Sequence, residues 1–429
     1  MVKLNQSDRL MIDQPLTLPC GHIVSNRFCK AAMTEGLADA NDHATQAHPR
    51  LYGTWARGGA AVQMSGNIMV DARYLERAGN VVVQDNSGMG ALKAWAKAVH
   101  ENGSQLWAQV SHPGRQCPRL VNLTPLAPSQ VQLNIVGNFG KPRAATEADI
   151  QNIVDRFATT AGLVQEAGFH GVQIHSAHGY LLSQFLSPRT NLRQDAWGGS
   201  LRNRANLLLT VVAAVRARVG PRFPVSVKLN SSDFVQGGFT LDDSTQVVLW
   251  LNDAGIDLLE VSGGTYEQLE CLKVRDPNEV RDSTLEREAI FLEYAKKLKA
   301  VARMPIMVTG GFRTLAGMQA ALQEGHTDMI GAARPFCVEP DFPARMLAGA
   351  MRRLPIAEDQ LVLGRGYWGP NSRSGHIRGL NNLAQAGWYY HQIERMGVGQ
   401  KPEPNLSPRR ALLGHVTNDF MRALRRKLA

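Results

Sequence analysis

The sequence predicts an α/β protein folded as an eight-stranded (β/α)8 barrel, and three observations carry that expectation. Short β-rich runs alternate with helical patterns through most of the 429 residues. The runs number eight and helices follow them, the count of a closed barrel. No Gly-x-Gly-x-x-Gly turn follows the first run, so an open doubly wound sheet lacks its usual nucleotide turn.

Taken in order, Pro15–Ser25 reads as a hairpin with a tight Cys20-Gly21 turn, placed to plug the barrel's lower end. Strands are expected near Phe28–Ala32, Ala60–Ser65, Gln105–Val110, Gly171–His175, Val225–Leu229, Leu258–Val261, Ile306–Thr309 and Met329–Ala332. Helical periodicity covers Met89–Glu101, Glu147–Ala167, Arg202–Val219, Asp242–Ala254, Glu286–Val301, Leu315–Gln323 and Phe342–Met351. Thr146 and Thr240 stand at N-cap positions, and Gly168, Gly220, Gly255 and Gly325 close helices. Beyond residue 352 the rhythm stops. Residues 364–410 are rich in Gly, Pro, Asn and Arg, with Tyr367-Trp368 and Trp388-Tyr389-Tyr390 among them. The expected organisation is therefore a barrel over residues 1–350 and an irregular basic extension over 351–429, packed on the barrel or serving as a homo-oligomer contact.

Bulk chemistry narrows the function classes. Charged residues at 20% and hydrophobic ones at 44% describe a globular protein. No run reaches the 18 or so apolar residues of a membrane span, and Met1–Asp8 lacks a signal-peptide core. Cysteines 20, 29, 117, 271 and 337 form no paired framework, which suits a reducing cytoplasm. Residues 351–429 hold 13 Lys/Arg against 5 Asp/Glu, so +8 of the net +10 lies there. That segment has no aromatic-interleaved basic motif, so no nucleic-acid partner is expected. Arg422–Leu428 reads as a surface helix and not a membrane anchor.

The chemistry concentrates in Ile174-His175-Ser176-Ala177-His178-Gly179-Tyr180, which leaves the fourth strand. Two imidazoles and a phenol meet at a strand end, where a parallel barrel builds its active site. Two His three residues apart also suit metal ligation or a structural role. A metal needs a third ligand, and no Cys or His pair at ligand spacing appears elsewhere, so no metal is expected.

The segment continues through Phe185-Leu-Ser-Pro188, Asn191, Arg193, Asp195, Trp197-Gly-Gly-Ser200 and Asn203-Arg204. Over this stretch the chain resembles the Old Yellow Enzyme family of FMN-dependent ene-reductases, in its single-domain branch. Trp197 stands where the family has Tyr, and Arg202 where it has Glu. The resemblance runs over about residues 10–350. It implies FMN as cofactor, with NAD(P)H as reductant and an α,β-unsaturated carbonyl as substrate. His175 and His178 would bind the substrate oxygen, and Tyr180 would protonate the α-carbon. Ala32, Met33 and Thr34 would line the isoalloxazine, Gly66 would let its edge approach the backbone, and Gln109 would meet its pyrimidine edge. Lys228, in place of the usual Arg, would put a cation beside the ring. Gly310, Gly311, Ala333 and Arg334 would hold the phosphate, with Ala333 in place of Gly. An amine dehydrogenase or demethylase on the same cofactor is the alternative. Its chemistry has no need of two oxyanion-type donors.

Overall fold

A strand buried on both faces is built mostly of apolar or internally paired side chains, and most positions of the eight barrel strands have them. The computed structural model describes residues 10–135, 137–263 and 292–429. Its barrel strands are β1 (Phe28–Lys30), β2 (Val62–Met69), β3 (Gln105–Ser111), β4 (Gly171–Ser176), β5 (Val225–Asn230), β6 (Leu258–Ser262), β7 (Ile306–Thr309) and β8 (Met329–Ala332). All neighbours pair in parallel, and the ring closes where Ile330 of β8 meets Phe28 of β1 and Cys29 of β1 meets Val62 of β2. A register shift between Met64 and Asn67 bends β2 just below its upper end.

Around the ring lie α1 (Ala47–Arg57), α2 (Met89–His100), α3 (Glu147–Glu166), α4 (Leu181–Leu186), α5 (Leu201–Val219), α6 (Leu241–Asp253), α7 (residues 292–299), α8 (Leu315–Gln323) and α9 (Phe342–Leu347). The first part of the helix expected at Glu286–Val301 lies outside the described residues, as does Cys271. Thr146 and Thr240 form capping boxes with Asp149 and Asp243, satisfying amides that each helix start would otherwise strand. Gly168, Gly220, Gly255 and Gly325 all take positive φ just past the helices they end.

The hairpin pairs Leu16–Thr17 with Ile23–Val24 and turns at Gly21, where φ is 83°. Leu18 and Val24 pack inside the ring against Cys29, Val62, Met64, Trp107, Leu258, Met307 and Met329. Asp257 accepts the Cys20 amide (2.9 Å), and Gln105 donates to the Ile23 carbonyl (2.8 Å). The lower end is thus sealed, and ligand access is left to the upper one.

Two readings need correction. Helix α1 went unforeseen because Pro49 and Gly53 interrupt its pattern; it forms because Leu51, Tyr52, Trp55 and Ala56 bury a common face. The extension is also more regular than expected. After residues 351–374 it forms two long helices, α10 (Gly375–Gly397) and α11 (Pro408–Leu428). The glycines and asparagines that suggest a loop serve packing: a Cβ on Gly387 would meet the Ala411 carbonyl and the His415 Cβ at 2.7 Å. Tertiary contact overrides propensity there. The helices lie against the barrel's upper loops, where Arg77 pairs with Asp419 and stacks over Tyr390 (3.8 Å) and Arg426 pairs with Asp42 (2.8 Å).

Candidate active site

Alternation along the strands sends Gln173 and His175 of β4, Lys228 and Asn230 of β5, and Glu260 and Ser262 of β6 into the barrel. The proof is a contact that skips a strand: Gln173 of β4 donates to Glu260 of β6 (2.8 Å) across β5. Only interior side chains can reach each other in that way. A mostly polar interior layer therefore sits above the apolar plug.

At the top of β4 the structure brings together the three residues singled out from the sequence. The rings of His175 and His178 lie 5.1 Å apart, nearly perpendicular, and Tyr180 lies 4.8 Å from His175. His178 takes φ 58°, an uncommon conformation for a side-chain-bearing residue, and Asn230 holds its amide (3.1 Å). Its Nε2 pairs with the Ser262 hydroxyl (2.6 Å). The Ala177 amide donates to His175 Nδ1 (3.2 Å), so the neutral ring carries its proton on Nε2. Burial holds both imidazoles well below the ordinary histidine value; His178 and Lys228 push His175 further down, and Lys228 does the same to His178. Near neutrality both are uncharged hydrogen-bonding groups. Among the described residues no three His, Cys, Asp or Glu side chains gather as a metal-ion group.

The residues assigned to the cofactor lie at the upper strand ends, and Lys228, Thr34, Gly66 and Arg334 each meet a carboxylate that the sequence did not suggest. Lys228 pairs with Glu260 (2.9 Å), and both side chains are almost wholly buried. Thr34 donates to Glu76 (2.8 Å), which also takes the Asn67 amide; Asn67 in turn accepts from Gln109 (2.7 Å). Burial raises the Glu76 pKa, and the bonds from Asn67 and Thr34 oppose that rise. Gly66 donates to Glu35 (2.7 Å), and a Cβ at Gly66 would collide with Glu35 and the Met33 carbonyl. The missing side chain thus makes room for Glu35 and the first strand's end. Ala32 and Met33 follow β1, with Met33 Sδ 3.7 Å from Cys337 Sγ. Gly310 and Gly311 follow β7 with φ 93° and 82°, and nothing lies within 4 Å of where a Gly310 Cβ would be. Ala333 and Arg334 follow β8, and Arg334 pairs with Glu358 (2.9 Å).

Of these unforeseen acids only Glu260 left a trace in the sequence, as a charge at an inward position of a strand. Glu35 and Glu76 sit in loops and Glu358 opens a three-residue 3-10 turn, where spacing carries no such signal.

The hallmark segment after Tyr180 is largely architectural. Asn191 donates to the carbonyls of Phe185 (2.8 Å) and Trp197 (2.7 Å), and Arg193 pairs with Asp195 (2.5 Å). Both departures are accommodated: Trp197 donates to Glu147 (2.6 Å), and Arg202 lies 5.1 Å over the Trp250 ring. Neither touches the histidines.

Does a flavin fit? Buried Gln109 Oε1 and Thr309 Oγ1 have no hydrogen-bond partner at the upper strand ends, an expensive arrangement unless a polar ligand meets them. Open space at Gly310, after strand seven, and two arginines that follow strands seven and eight suit a phosphate at this end of the barrel. The donor set fits.

A barrel sealed at its lower end, with neutral imidazoles and a phenol at one upper strand end and arginines after strands seven and eight, has the groups that a flavin-type oxidoreductase needs. The sequence profile of the NADH:flavin oxidoreductase / NADH oxidase family matches residues 12–352, and the chain belongs to that family. It is an oxidoreductase that uses FMN with NAD(P)H as reductant. It is 39% identical over 331 residues to the NADH-dependent flavin oxidoreductase nadA of Aspergillus parasiticus, covering 73% of each chain. Over 354 residues it is 36% identical to the NADH-dependent flavin oxidoreductase iliE of Hypocrea jecorina, covering 78% of this chain and 88% of the other. Among solved structures, an old yellow enzyme homologue from Zymomonas mobilis superposes with a TM-score of 0.69 at 25% identity, covering 81% of this chain and 95% of the other. No helix among the described residues is long and apolar enough to cross a membrane.

Proposed function

We propose that the protein reduces the activated C=C bond of an α,β-unsaturated carbonyl compound. The observation that carries this reading is the pair of buried, neutral imidazoles 5.1 Å apart with a phenol against one of them. Such a pair grips a single oxygen and stabilises the negative charge that gathers there as the β-carbon is reduced. His175 donates from Nε2. His178 is fixed by Asn230 and Ser262, so its ring cannot turn away. Tyr180 holds the proton that the α-carbon takes, which makes it the general acid. FMN, when bound, supplies the hydride equivalent it has accepted from NAD(P)H.

In the same reading Ala32, Met33 and Thr34 line one edge of the ring system, Gln109 meets its pyrimidine edge and Lys228 lends a positive charge, while Gly66 makes room for Glu35 and not for the ring. Gly310, Gly311, Ala333 and Arg334 take the phosphate. The apolar lower plug and the buried strand ends keep bulk water from the reacting atoms.

Anaerobic reduction by NADH followed by mixing with cyclohexenone, maleimide or a nitroalkene tests the proposal. Rapid return of the oxidised flavin spectrum with one equivalent of saturated product is expected. Reduction by small amines, with no reoxidation by any of the three alkenes, would favour the amine-oxidising alternative.

A further inference from the structure

The phosphate end of the site contains a contact that the barrel alone does not provide. Residues 352–354 run antiparallel to residues 313–315, with Leu315 N–Arg352 O at 3.0 Å and Leu354 N–Arg313 O at 2.8 Å. This short pairing leads the chain to Glu358. One oxygen of Glu358 then lies 2.9 Å from Arg334 and 3.1 Å from Arg313. Tyr389, buried on α10, hydrogen-bonds the same carboxylate. Burial tends to raise the Glu358 pKa, but the two arginines outweigh it and the group stays anionic.

Two guanidiniums this close repel each other unless an anion sits between them. Glu358 supplies that anion while leaving one net positive charge. The bridge itself uses one nitrogen of each arginine, and Arg313 Nη1 also donates to the Phe312 carbonyl (3.4 Å). Both arginines remain partly exposed at the end of the barrel where Gly310 leaves open space.

We propose that Glu358 is a positioning residue of the phosphate site: it gathers Arg313 and Arg334 into a two-cation clamp for a phosphate monoester. Arg313 is then a binding residue beside Arg334, and the extension helps to hold the cofactor. The inference rests on the assignment of Arg334 to the FMN phosphate. It makes the FMN-over-riboflavin preference a property of Glu358 and Arg313 as well as of Arg334.

The test titrates apoprotein with FMN and with riboflavin, following flavin fluorescence. Glu358→Gln and Arg313→Gln should each lower the FMN-over-riboflavin preference about tenfold or more, with riboflavin affinity unchanged. Glu358→Asp, which keeps the charge, should retain part of the preference. Loss of riboflavin binding along with FMN in Glu358→Gln would mark a structural role and overturn the proposal. Tighter FMN binding in that variant would overturn it too, since Glu358 would then be a competitor of the phosphate. Arg334→Gln separates the two levels of the argument. If it leaves the preference intact, the phosphate assignment itself falls. If it abolishes the preference while Glu358→Gln and Arg313→Gln do not, only the clamp falls.

Discussion

The two sides of the site handle burial in opposite ways. At the top of β4, His175 and His178 are buried without a countercharge and stay neutral, which suits their proposed role as donors to an uncharged carbonyl. By contrast the cations Lys228, beside His175 on β5, and Arg334, after β8, are each matched by an acid, Glu260 and Glu358. One side avoids the cost of a buried charge by giving up the proton; the other keeps its charge and supplies a partner. The proposed oxyanion donors and the proposed cofactor cations can therefore lie within one barrel mouth.

The contrast breaks most visibly at the imidazoles. His175→Ala with His178→Ala should lower the rate of cyclohexenone reduction by about 10²–10³-fold for each donor removed. Reduction of bound flavin by NADH should change far less, as stopped-flow spectroscopy will reveal. Equal losses in both half-reactions would mean that the pair holds the cofactor and not the substrate. Tyr180→Phe should follow, slowing enone reduction by about 10²-fold or more while a nitroalkene still accepts reducing equivalents.

On the charged side, Lys228→Met should destabilise the protein by about 3–5 kcal/mol, because Glu260 is left buried without its cation. Adding Glu260→Met should recover most of that loss in a denaturant titration. If the single variant is as stable as the parent, the pair is not a closed unit, and Lys228 is free to serve the cofactor alone.

The pH response sharpens the same comparison. His112 and His170 are held at about 4 by burial, and His175 and His178 are also held low. Unfolded histidines titrate near 6.5, so below about that pH the unfolded state binds more protons than the native one. Stability should therefore be fully present above pH 6.5 and fall as the pH drops toward 4. Thermal melts across that window should show the slope, and His112→Gln should flatten it. A flat profile would mean that the histidines titrate normally. The smallest effect belongs to Trp197→Phe, which loses one bond to Glu147 and should cost about 0.5–1.5 kcal/mol with catalysis intact.

The legible parts of this molecule share a physical cause. A barrel strand announces itself by a short apolar run between breakers, so all eight were located, and those at Ile306–Thr309 and Met329–Ala332 fall on the same residues. The His175, His178 and Tyr180 group was legible because three chemical residues fall within six positions. Glu76 and Glu358 were not, because each acts on a partner on another element, and Glu260 showed only as a charge at an inward strand position. Glu358 meets Arg313 and Arg334 only after β7, β8 and the pairing at residues 352–354 are in place. Helices α10 and α11 were hidden for a related reason: Gly387 weakens a helix in isolation but lets two helices touch.

The seam between β8 and β1 has a kinetic side. Ile330 pairs with Phe28, so the last hydrogen-bonded joint of the ring joins segments some three hundred residues apart, and Arg426 with Asp42 closes a still longer circuit. Loop-closure entropy rises only about 0.6 kcal/mol per doubling of length, so these distant joints are cheap at equilibrium. They are slow to find, however, because search time grows with the separation of contacting residues. Until the seam zips, β1 and β8 each present an open edge to other chains. The residues that follow β1 and β8, Ala32 to Thr34 on one and Ala333 with Arg334 on the other, then come together in the same late event. A chain arrested with its seam open would have much of its barrel and yet hold the two halves of the proposed flavin cradle apart.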